Sequence, residues 1–272
     1  MITVIKADKS KELFSEEKVI HSIKRAGIPE NIQDKVLQHV KSKIFNGIST
    51  REIFRHIIEF LDTTSEPFQR TKYSLKDAIM NLGPTGYPFE DYVAKLLEEQ
   101  GYTTKTRQIL NGKCVSHEID ILAEKSGKKI FIEAKFHNSH GIRTEVQVAL
   151  YTYARFLDIK EKNNIDEAWI ITNTKTTNDA NTYAACTGMK VISWNYPENN
   201  GLRDLIEKSK LYPITILSSL NRSNREELFN NHVVLCKTIC QNHNLLDNLP
   251  LSKEEKEKIL AETHFICNVD HS

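Results

Sequence analysis

With 272 residues, the chain is long enough for two modest domains, or for one core with appendages, because domains usually contain about 100 to 200 residues. Apolar residues make up 39% and charged residues 27%, and no apolar run approaches the roughly 20 residues that span a bilayer, so we expect a cytoplasmic protein without a membrane segment. The formal charge of +1, from 37 basic and 36 acidic residues, excludes a global attraction to nucleic acid, and any contact with DNA must come from local patches.

The cysteines indicate the redox environment. Cys114, Cys186, Cys236, Cys240 and Cys267 are an odd number spread over a long chain. This distribution favours reduced thiols over a disulfide framework and indicates a reducing compartment. The first six residues lack the charged leader and long apolar run of a signal peptide, and they predict a β-strand instead.

The first eighty residues predict a small, mostly helical unit. After a strand at residues 3–6, helices are expected at residues 15–27, 29–45, 49–62 and 66–81. Ser49 and Glu52 have the spacing of a capping box, which marks the start of the third helix. The turn residues Gly83 and Pro84 interrupt the helical pattern, so we expect a first domain at residues 1–82.

A mixed α/β unit is expected at residues 83–198. Apolar residues from Phe89 onwards predict a helix that ends at Gly101, and Asn111-Gly112 predicts a hairpin between strands at residues 104–111 and 117–124. The elements that follow are a strand at 128–136, a helix at 142–158, a strand at 167–172, a helix at 178–187 and a strand at 190–194. The order αβββαβαβ predicts an α/β sandwich.

The last residues, 199–272, predict a small helical domain. Helices are expected at residues 201–209, 213–220, 224–242 and 251–266. His232, Cys236 and Cys240 recur at every fourth position of the third helix, and these residue types are zinc ligands. We favour the alternative that the cysteines are small apolar core residues, because structural zinc sites usually draw on more than one element.

Two neighbouring strands of the central unit carry isolated charges within apolar sequence. Asp120 stands between two isoleucines, while Glu133 and Lys135 interrupt the apolar strand at 128–136 and share one face because they are two residues apart. Two carboxylates suit Mg²⁺ or Mn²⁺, and a lysine ammonium can orient an attacking water or stabilise charge on a phosphate. The alternative, a solvated strand edge, is disfavoured because an unpaired charge is costly in a central strand.

Four segments together resemble a known family. They are Gly86-Tyr87-Pro88-Phe89-Glu90-Asp91, His117-Glu118-Ile119-Asp120, Ile132-Glu133-Ala134-Lys135-Phe136-His137-Asn138 and Leu150-Tyr151-Thr152-Tyr153-Ala154-Arg155-Phe156. With these segments the sequence resembles the PD-(D/E)xK nucleases, and within them the Mrr-like (type IV) restriction endonucleases fused to an ATP-cone. The fold that the resemblance implies is a restriction-endonuclease-like αβββαβαβ core between a small helical cone and a helical tail.

The resemblance also implies roles for single residues. Asp120 and Glu133 would bind the metal, Lys135 would be the catalytic lysine, Glu90 would be a supporting carboxylate, and Gln147 would lie on the following helix one turn before Tyr151. Structural alternatives remain open for the helical residues. Glu90 can instead be a helix N-terminal acid that interacts with the macrodipole, and Gln147 and Tyr151 can instead form a polar helix face.

The N-terminal unit resembles the ATP-cone, a nucleotide-binding regulatory domain. The segment Val4-Ile5-Lys6-Ala7-Asp8-Lys9, followed by Glu12, Phe14, Lys18 and Ala26, carries this resemblance. It implies a site for ATP or dATP at Lys6, Glu12, Lys18, Thr50 and Lys76, where lysines offer point charges to a triphosphate. Ala7 stands where a second basic residue is common, and Lys9 where glycine is common. A helical domain with a solvated basic face is the alternative.

The function that these features predict is a metal-dependent endodeoxyribonuclease of the restriction or DNA-quality-control kind. It would hydrolyse DNA phosphodiester bonds with Mg²⁺ or Mn²⁺ and be regulated by ATP or dATP. The alternatives are a catalytically silent, nucleotide-sensing protein that only holds nucleic acid, and a nuclease that acts on RNA. A homodimer is expected if both DNA strands are cut, because each chain carries one site.

Overall fold

The N-terminal unit combines five helical segments with a small sheet. The structure is a computed structural model that describes residues 2–64 and 69–267. Its first elements are β1 (Thr3–Ile5), β2 (Lys11–Leu13), α1 (Glu16–Arg25), α2 (Glu30–Lys43), β3 (Ile48–Ser49), α3 (Thr50–Asp62), α4 (Gln69–Tyr73) and α5 (Leu75–Met80). The three strands form a sheet in the order β2-β1-β3. The apolar faces of α1, α2 and α3 pack on this sheet around Ile23, Val36, Ile48 and Ile57.

Local sequence explains where these helices begin and end. The side chain of Ser15 accepts a hydrogen bond from the backbone of Lys18 at the start of α1, and Ser49 and Glu52 form the predicted capping box at the start of α3. The strands β2 and β3 were not predicted, because each is only two or three residues long. The helix predicted at 66–81 divides at Ser74 into α4 and α5, and residues 66–68 of that prediction lie outside the described residues.

The central unit is built on a five-stranded mixed sheet. Its elements are α6 (Tyr87–Glu99), β4 (Thr103–Asn111), β5 (Ser116–Lys125), β6 (Lys128–Lys135), β7 (Arg143–Thr144), α7 (Val146–Asn163), β8 (Glu167–Thr172), β9 (Lys175–Thr176), α8 (Asn178–Cys186) and β10 (Lys190–Ile192). The strand order is β10-β8-β6-β5-β4; β4, β5 and β6 pair antiparallel, whereas β6, β8 and β10 pair parallel. The predicted αβββαβαβ order is confirmed.

Strand β6 is apolar because helices cover both faces of the sheet. Ile130 and Ile132 pack in one core with Phe89 of α6, and Phe131 packs in a second core with Ala149 of α7. The helix predicted at 142–158 begins later and ends later. Residues 143–144 form β7, which pairs with β9 in a separate two-stranded sheet beside the main one.

The C-terminal unit differs most from its prediction. It contains α9 (Leu202–Ser209), a 3-10 turn (Ile214–Ile216), α10 (Arg222–Asn230), α11 (Cys236–Gln241), a second 3-10 turn (His243–Leu246) and α12 (Lys253–Cys267). The helix expected at 213–220 is only the first 3-10 turn, because Pro213 pairs with Leu235 in an isolated β-bridge. The helix expected at 224–242 is broken between α10 and α11, where His232 has a left-handed backbone with a φ of 56°.

A buried carboxylate holds this unit in place. The carboxylate of Glu262 on α12 is fully buried and accepts hydrogen bonds from the Thr71 hydroxyl and from the backbone and hydroxyl groups of Ser218 and Ser219. These neutral donors lower the pKa of Glu262 against the opposing effect of burial, which is the largest influence. The glutamate therefore joins α12 to α4 and to the segment before α10.

Within the described residues, no helix is long and apolar enough to cross a membrane.

The expectation of reduced thiols is wrong for two cysteines. Cys240 of α11 and Cys267 of α12 form a disulfide that closes the C-terminal unit. Cys236 is buried in the core and directs its thiol towards the carbonyl oxygen of Pro213, as the core interpretation predicted, while Cys114 and Cys186 are free and exposed. In the part of the chain that the structure describes, no cluster of three or more potential ligands forms a metal site, so the zinc alternative has no support.

Candidate active site

The site lies where two strands of the main sheet separate. The ladder between β5 and β6 ends at the pair Ile121 and Ile132, whereas β6 continues to pair with β8 as far as Lys135. Asp120 and Glu133 therefore stand at the point of separation. The backbone N–H of Ala134 donates to Oδ2 of Asp120 at 2.8 Å, so the carboxylate occupies the place of a ladder acceptor. Asp120 is fixed by this bond, and its other oxygen makes no hydrogen bond within the described part of the chain.

Glu133 is buried and held from the side of α7. The hydroxyl of Tyr151 donates to its Oε1 at 2.7 Å, and the guanidinium of Arg155 forms an ion pair with its Oε2. Arg155 also donates to the backbone carbonyl of Glu118 and lies over the ring of Phe131. Both oxygens of Glu133 are thus engaged, and Arg155 neutralises the carboxylate that points into the site.

Burial and the neighbouring carboxylates change the titration of Asp120. Burial, and next the charge of Glu133, raise the pKa of Asp120 from 3.8 to about 7, although the hydrogen bond from Ala134 acts in the opposite direction. The charge of Glu90 raises it further. The local negative charge therefore exceeds the positive charge supplied by Arg155, which favours binding of a cation.

Lys135 follows Glu133 on the same face of β6 and is half-buried. Among the described residues, no hydrogen bond or ion pair engages its ammonium group. The charge of Lys135 reaches the loop beyond the strand, since it contributes, after burial, to lowering the pKa of His137. A half-buried lysine without a carboxylate partner, beside two carboxylates, is available to contact a substrate phosphate.

Glu90 enters the site from the first turn of α6. It is buried, burial raises its pKa, and Arg107 opposes this effect by donating to Oε2 at 3.1 Å. Arg107 also donates to Asp91 at 2.7 Å, and Asp91 in turn contacts His232 of the C-terminal unit at 2.9 Å. Arg107 has a left-handed backbone, with a φ of 52°, and stands on β4 between Thr106 and Gln108, which pair with β5 on either side of Asp120. Glu90 is therefore an acid of the first turn of α6 and also a carboxylate of the site that Arg107 holds in place.

Gln147 is the one predicted catalytic residue that the structure leaves apart. It is exposed on α7, and no described side chain of the site makes a hydrogen bond with it. Tyr151, one turn later, makes the contact with Glu133 described above. Tyr151 therefore contacts a carboxylate of the site, while the role of Gln147 stays a prediction.

The five predicted nucleotide residues do not all line the same cavity. Glu12 pairs with both Lys6 and Lys18, each at 2.7 Å, and this contact with two ammonium groups lowers the pKa of Glu12. Lys6, Thr50 and Lys76 line one cavity of about 380 Å³ between the N-terminal unit and the sheet, whereas Glu12 and Lys18 do not line it. The structure therefore brings three of the five residues to one cavity.

Known domain families match three parts of the chain. An ATP cone domain matches residues 2–75, a restriction endonuclease domain of the Mrr type matches residues 84–198, and an AF1548-like C-terminal domain matches residues 212–267. An uncharacterized protein of Archaeoglobus fulgidus is 42% identical over 171 residues, which are 62% of this chain and 97% of the relative. The crystal structure of a protein of unknown function, AF1548, is 39% identical with a TM-score of 0.60, over 68% of this chain and all of that chain. The chain belongs to the family of this Archaeoglobus protein and contains an Mrr-like restriction endonuclease domain after an ATP cone domain.

In this Mrr-like protein, the donor set fits a hard divalent cation. Asp120 and Glu133 offer carboxylate oxygens, the ligands that Mg²⁺ and Mn²⁺ prefer, and after burial the charges of Glu133 and Glu90 contribute to raising the pKa of Asp120. Within residues 2–64 and 69–267, no third His, Cys, Asp or Glu completes a cage. Two carboxylates, with water and substrate phosphate as the remaining ligands, match the way Mg²⁺ is usually bound.

Three residues of the Mrr-like site were missed by sequence reasoning: Arg107, Asp91 and Arg155. Arg155 follows Tyr151 at i+4, so helical spacing already placed it on the same face as a residue of the site. Arg107 gave no such signal, because its role depends on a left-handed backbone and on a helix distant in sequence. Asp91 was quoted in the family segment, but its link to His232 depends on tertiary packing.

Proposed function

We propose that this Mrr-like protein is a metal-dependent endodeoxyribonuclease that hydrolyses phosphodiester bonds of DNA and responds to ATP or dATP bound at its cone. The observation that carries the proposal is the position of Asp120 and Glu133 where β5 and β6 separate, with Lys135 two residues after Glu133 on the same face of β6. The Mrr-type match over residues 84–198 supports the same reaction class.

Asp120 and Glu133 would hold the Mg²⁺ or Mn²⁺ ion, which supplies Lewis acidity and lowers the pKa of water in its shell. The hydroxyl of Tyr151 orients Glu133, and the backbone N–H of Ala134 orients Asp120. Arg155 balances the charge of Glu133 and competes with a cation for the same oxygen. Each carboxylate is therefore positioned by a neighbour before the substrate arrives.

Lys135 is suited to the reacting phosphate. In hydrolysis, a bond forms between the water oxygen and phosphorus, the bond from phosphorus to one sugar oxygen breaks, and negative charge accumulates on the phosphoryl oxygens. A half-buried ammonium group without a described partner can stabilise this charge, and it can orient the water that attacks. Glu90, held by Arg107, adds to the negative field that attracts the cation.

A substrate panel tests the proposal. Purified full-length protein is incubated with supercoiled plasmid, linear duplex and branched DNA in Mg²⁺ or Mn²⁺, with and without ATP or dATP, beside labelled RNA. Cleavage of DNA that is lost in Asp120→Ala supports the proposal, cleavage of RNA alone redirects it to an RNA nuclease, and intact DNA under every condition rejects it. A change in rate with ATP or dATP supports regulation by nucleotide.

A second candidate function follows from one contact. Because Arg155 occupies Glu133, a protein that holds DNA without cutting it, and senses nucleotide through its cone, is also compatible with the site. Tight DNA binding that is unaffected by divalent metal and accompanied by no cleavage would favour this candidate. The half-buried Lys135 argues against it, since a silent module has no need of the complete set of three charged groups.

A further inference from the structure

The contact between the cone and the nuclease sheet encloses two adjoining cavities. One has a volume of about 380 Å³ and the other of about 270 Å³. Both are lined by Lys6, Ala7, Thr50, Lys76 and His140, so they share a wall. The larger cavity has the size of pockets that hold small-molecule ligands, which usually measure about 300 to 1,000 Å³, and the smaller one adjoins it.

Backbone packing brings the nuclease loop onto the cone. Gly141 has a φ of 84°, and a side chain at this position would overlap the carbonyl oxygen of Ala7 in the turn between β1 and β2. On either side of this approach, Arg143 donates to Asp8 at 2.6 Å and His140 contacts Asp77 at 3.0 Å. The pocket is thus walled by both domains through direct contacts.

Positive charge is in excess around these cavities. The two acids that line them, Asp8 and Asp77, are already engaged by Arg143 and His140. The basic residues that line one or both cavities are Lys6, Arg51, Lys76, Arg143 and Lys175. Even with Glu12, which pairs with Lys6, these five basic residues outnumber the acids, and the excess predicts a local potential that attracts an anion, although the chain as a whole is nearly neutral.

Three of these basic residues, Arg51, Lys76 and Lys175, make no ion pair with an acid of the described residues. Lys76 donates to the carbonyl oxygen of Asn173 and lies 4.1 Å from the ring centroid of Trp194, while Lys175 makes no ion pair with any described residue. Burial lowers the pKa of Lys76 to about 7, and the charge of Lys175 contributes in the same direction against that of Asp77. A bound anion between them would relieve this repulsion.

We propose that the junction is a composite site for the polyphosphate of a nucleotide, in which Arg143 and Lys175 of the nuclease domain act together with Lys6 and Lys76. This inference rests on the proposed function, which places a nucleotide at the cone, and it adds that the nuclease domain supplies half of the phosphate contacts. A triphosphate carries about four negative charges at neutral pH, which suits four cationic side chains.

A short chain of hydrogen bonds connects this pocket with the active site. Lys76 contacts the backbone of Asn173, and the Asn173 side chain accepts from the N–H of His137 at 2.9 Å and donates to its carbonyl oxygen at 2.7 Å. His137 lies two residues after Lys135, and its pKa is lowered by burial and by the charges of both Lys135 and Lys76. A phosphate that draws Lys76 away from Asn173 therefore changes the loop that follows the catalytic strand.

The test measures binding rather than cleavage. Isothermal titration of the full chain with ATP, dATP and inorganic tripolyphosphate is compared for the wild type, Arg143→Ala and Lys175→Ala. Each substitution should weaken ATP binding at least about tenfold, because each removes a charge-assisted phosphate contact. Tripolyphosphate that binds as tightly as ATP would identify the polyphosphate alone as the ligand, which still supports the composite site.

Two control variants separate the role of charge from that of packing. Asp8→Asn removes the partner of Arg143 but keeps the guanidinium, so ATP affinity should be unchanged or higher. Lys128→Ala removes an exposed lysine that pairs with Glu167 outside the pocket, and it should leave binding as in the wild type. If Asp8→Asn weakens ATP binding as much as Arg143→Ala does, the ion pair between the two residues, and not a phosphate contact of Arg143, is required for binding. This result would overturn the inference.

The failure of this inference and that of the proposed function are distinguishable. Wild-type levels of ATP binding in both Arg143→Ala and Lys175→Ala, together with a loss in Lys6→Ala, would confine the nucleotide to the cone and reject the composite site alone. No binding of ATP, dATP or tripolyphosphate by the wild type would reject both the composite site and regulation by nucleotide. Neither result bears on whether the protein cuts DNA.

Discussion

Asn in place of Asp120 should abolish cleavage and yet stabilise the metal-free protein. The pKa of Asp120 is raised from 3.8 to about 7 by burial and by Glu133. Each pKa unit corresponds to about 1.4 kcal/mol, so the ionised carboxylate lowers the free energy of unfolding by at most about 4 kcal/mol above pH 7. An asparagine keeps an acceptor for the N–H of Ala134 but carries no charge. We expect a net gain of about 1–3 kcal/mol, since a buried amide has its own desolvation penalty.

The sign of the pH dependence follows from the raised pKa. Between about pH 4 and pH 7, the folded wild type retains a proton on Asp120 that the unfolded chain has released, so the wild type loses stability as the pH rises through this window. The advantage of Asp120→Asn should therefore be small at about pH 5 and full at about pH 8. Mn²⁺ in excess should stabilise the wild type at the higher pH and leave the variant unchanged.

Urea unfolding in EDTA at the two pH values measures this difference. The matched control is Asp166→Asn, because Asp166 also accepts a hydrogen bond from a backbone N–H of β6, that of Lys129, but at the exposed end of the sheet. No pH-dependent gain is expected there. An equal gain at both pH values in Asp120→Asn, or a loss at about pH 8, would refute the account of the carboxylate pair.

Three further predictions concern side chains outside the metal ligands. Tyr151→Phe removes the hydroxyl that orients Glu133 and should slow DNA cleavage about fivefold, since one hydrogen bond contributes about 1 kcal/mol. Glu262→Ala leaves several buried donors without an acceptor and should lower the free energy of unfolding by about 3 kcal/mol or more, measured in urea. Reduction of the Cys240–Cys267 disulfide, whose cysteines are 27 residues apart, should lower this free energy by about 3–4 kcal/mol.

Each of these predictions has a control. Gln147→Ala changes an exposed residue of the same helix face as Tyr151, and a rate loss as large as in Tyr151→Phe would contradict the assignment. Glu257→Ala removes an exposed acid of α12 and should change stability little, so an equal loss would show that helix charge, not the buried clamp, is responsible. Cys186→Ser should leave the effect of reductant unchanged, because Cys186 is a free thiol.

The central fold could be predicted because its periodicity is strong. The apolar sequence of β6, interrupted only near its end, identified a central strand, and alternation placed Glu133 and Lys135 on one face. Because the strands that carry them are consecutive in the chain, these residues were also expected to lie beside Asp120. The structure adds that the three stand where β5 and β6 separate, which depends on how the strands twist and not on the local pattern.

The C-terminal unit could not be predicted in detail, because tertiary contacts override its helical pattern. Residues 233–235 are apolar and would continue a helix, but the left-handed backbone of His232 turns the chain so that Leu235 pairs with Pro213. Such a backbone has no reliable sequence signal at a histidine. The disulfide was missed for a related reason, since an odd number of cysteines says nothing about which two of them meet.

The residues that hold the site were also difficult to identify. Arg155 and Arg107 contact carboxylates that are far away in sequence, and an arginine on a helix or an edge strand is usually a solvated surface residue. The resemblance predicted that Gln147 belongs to the active site. It is exposed on α7 and makes no hydrogen bond with a described residue of the site. Sequence patterns identify charges within apolar elements more reliably than they identify the partners that position them.

The most direct test of the central claim is nicking of supercoiled plasmid by the wild type and by Lys135→Ala in Mn²⁺. Lys135 has no described hydrogen-bond or ion-pair partner, so its removal should leave folding and metal binding intact, and unfolding curves and Mn²⁺ titration verify this for both proteins. We expect nicking by the wild type that EDTA abolishes, and a rate at least about a hundredfold lower in Lys135→Ala, the size of effect expected when one group that stabilises the transition state is lost. Equal nicking by the two proteins, or none by the wild type, would contradict the central claim.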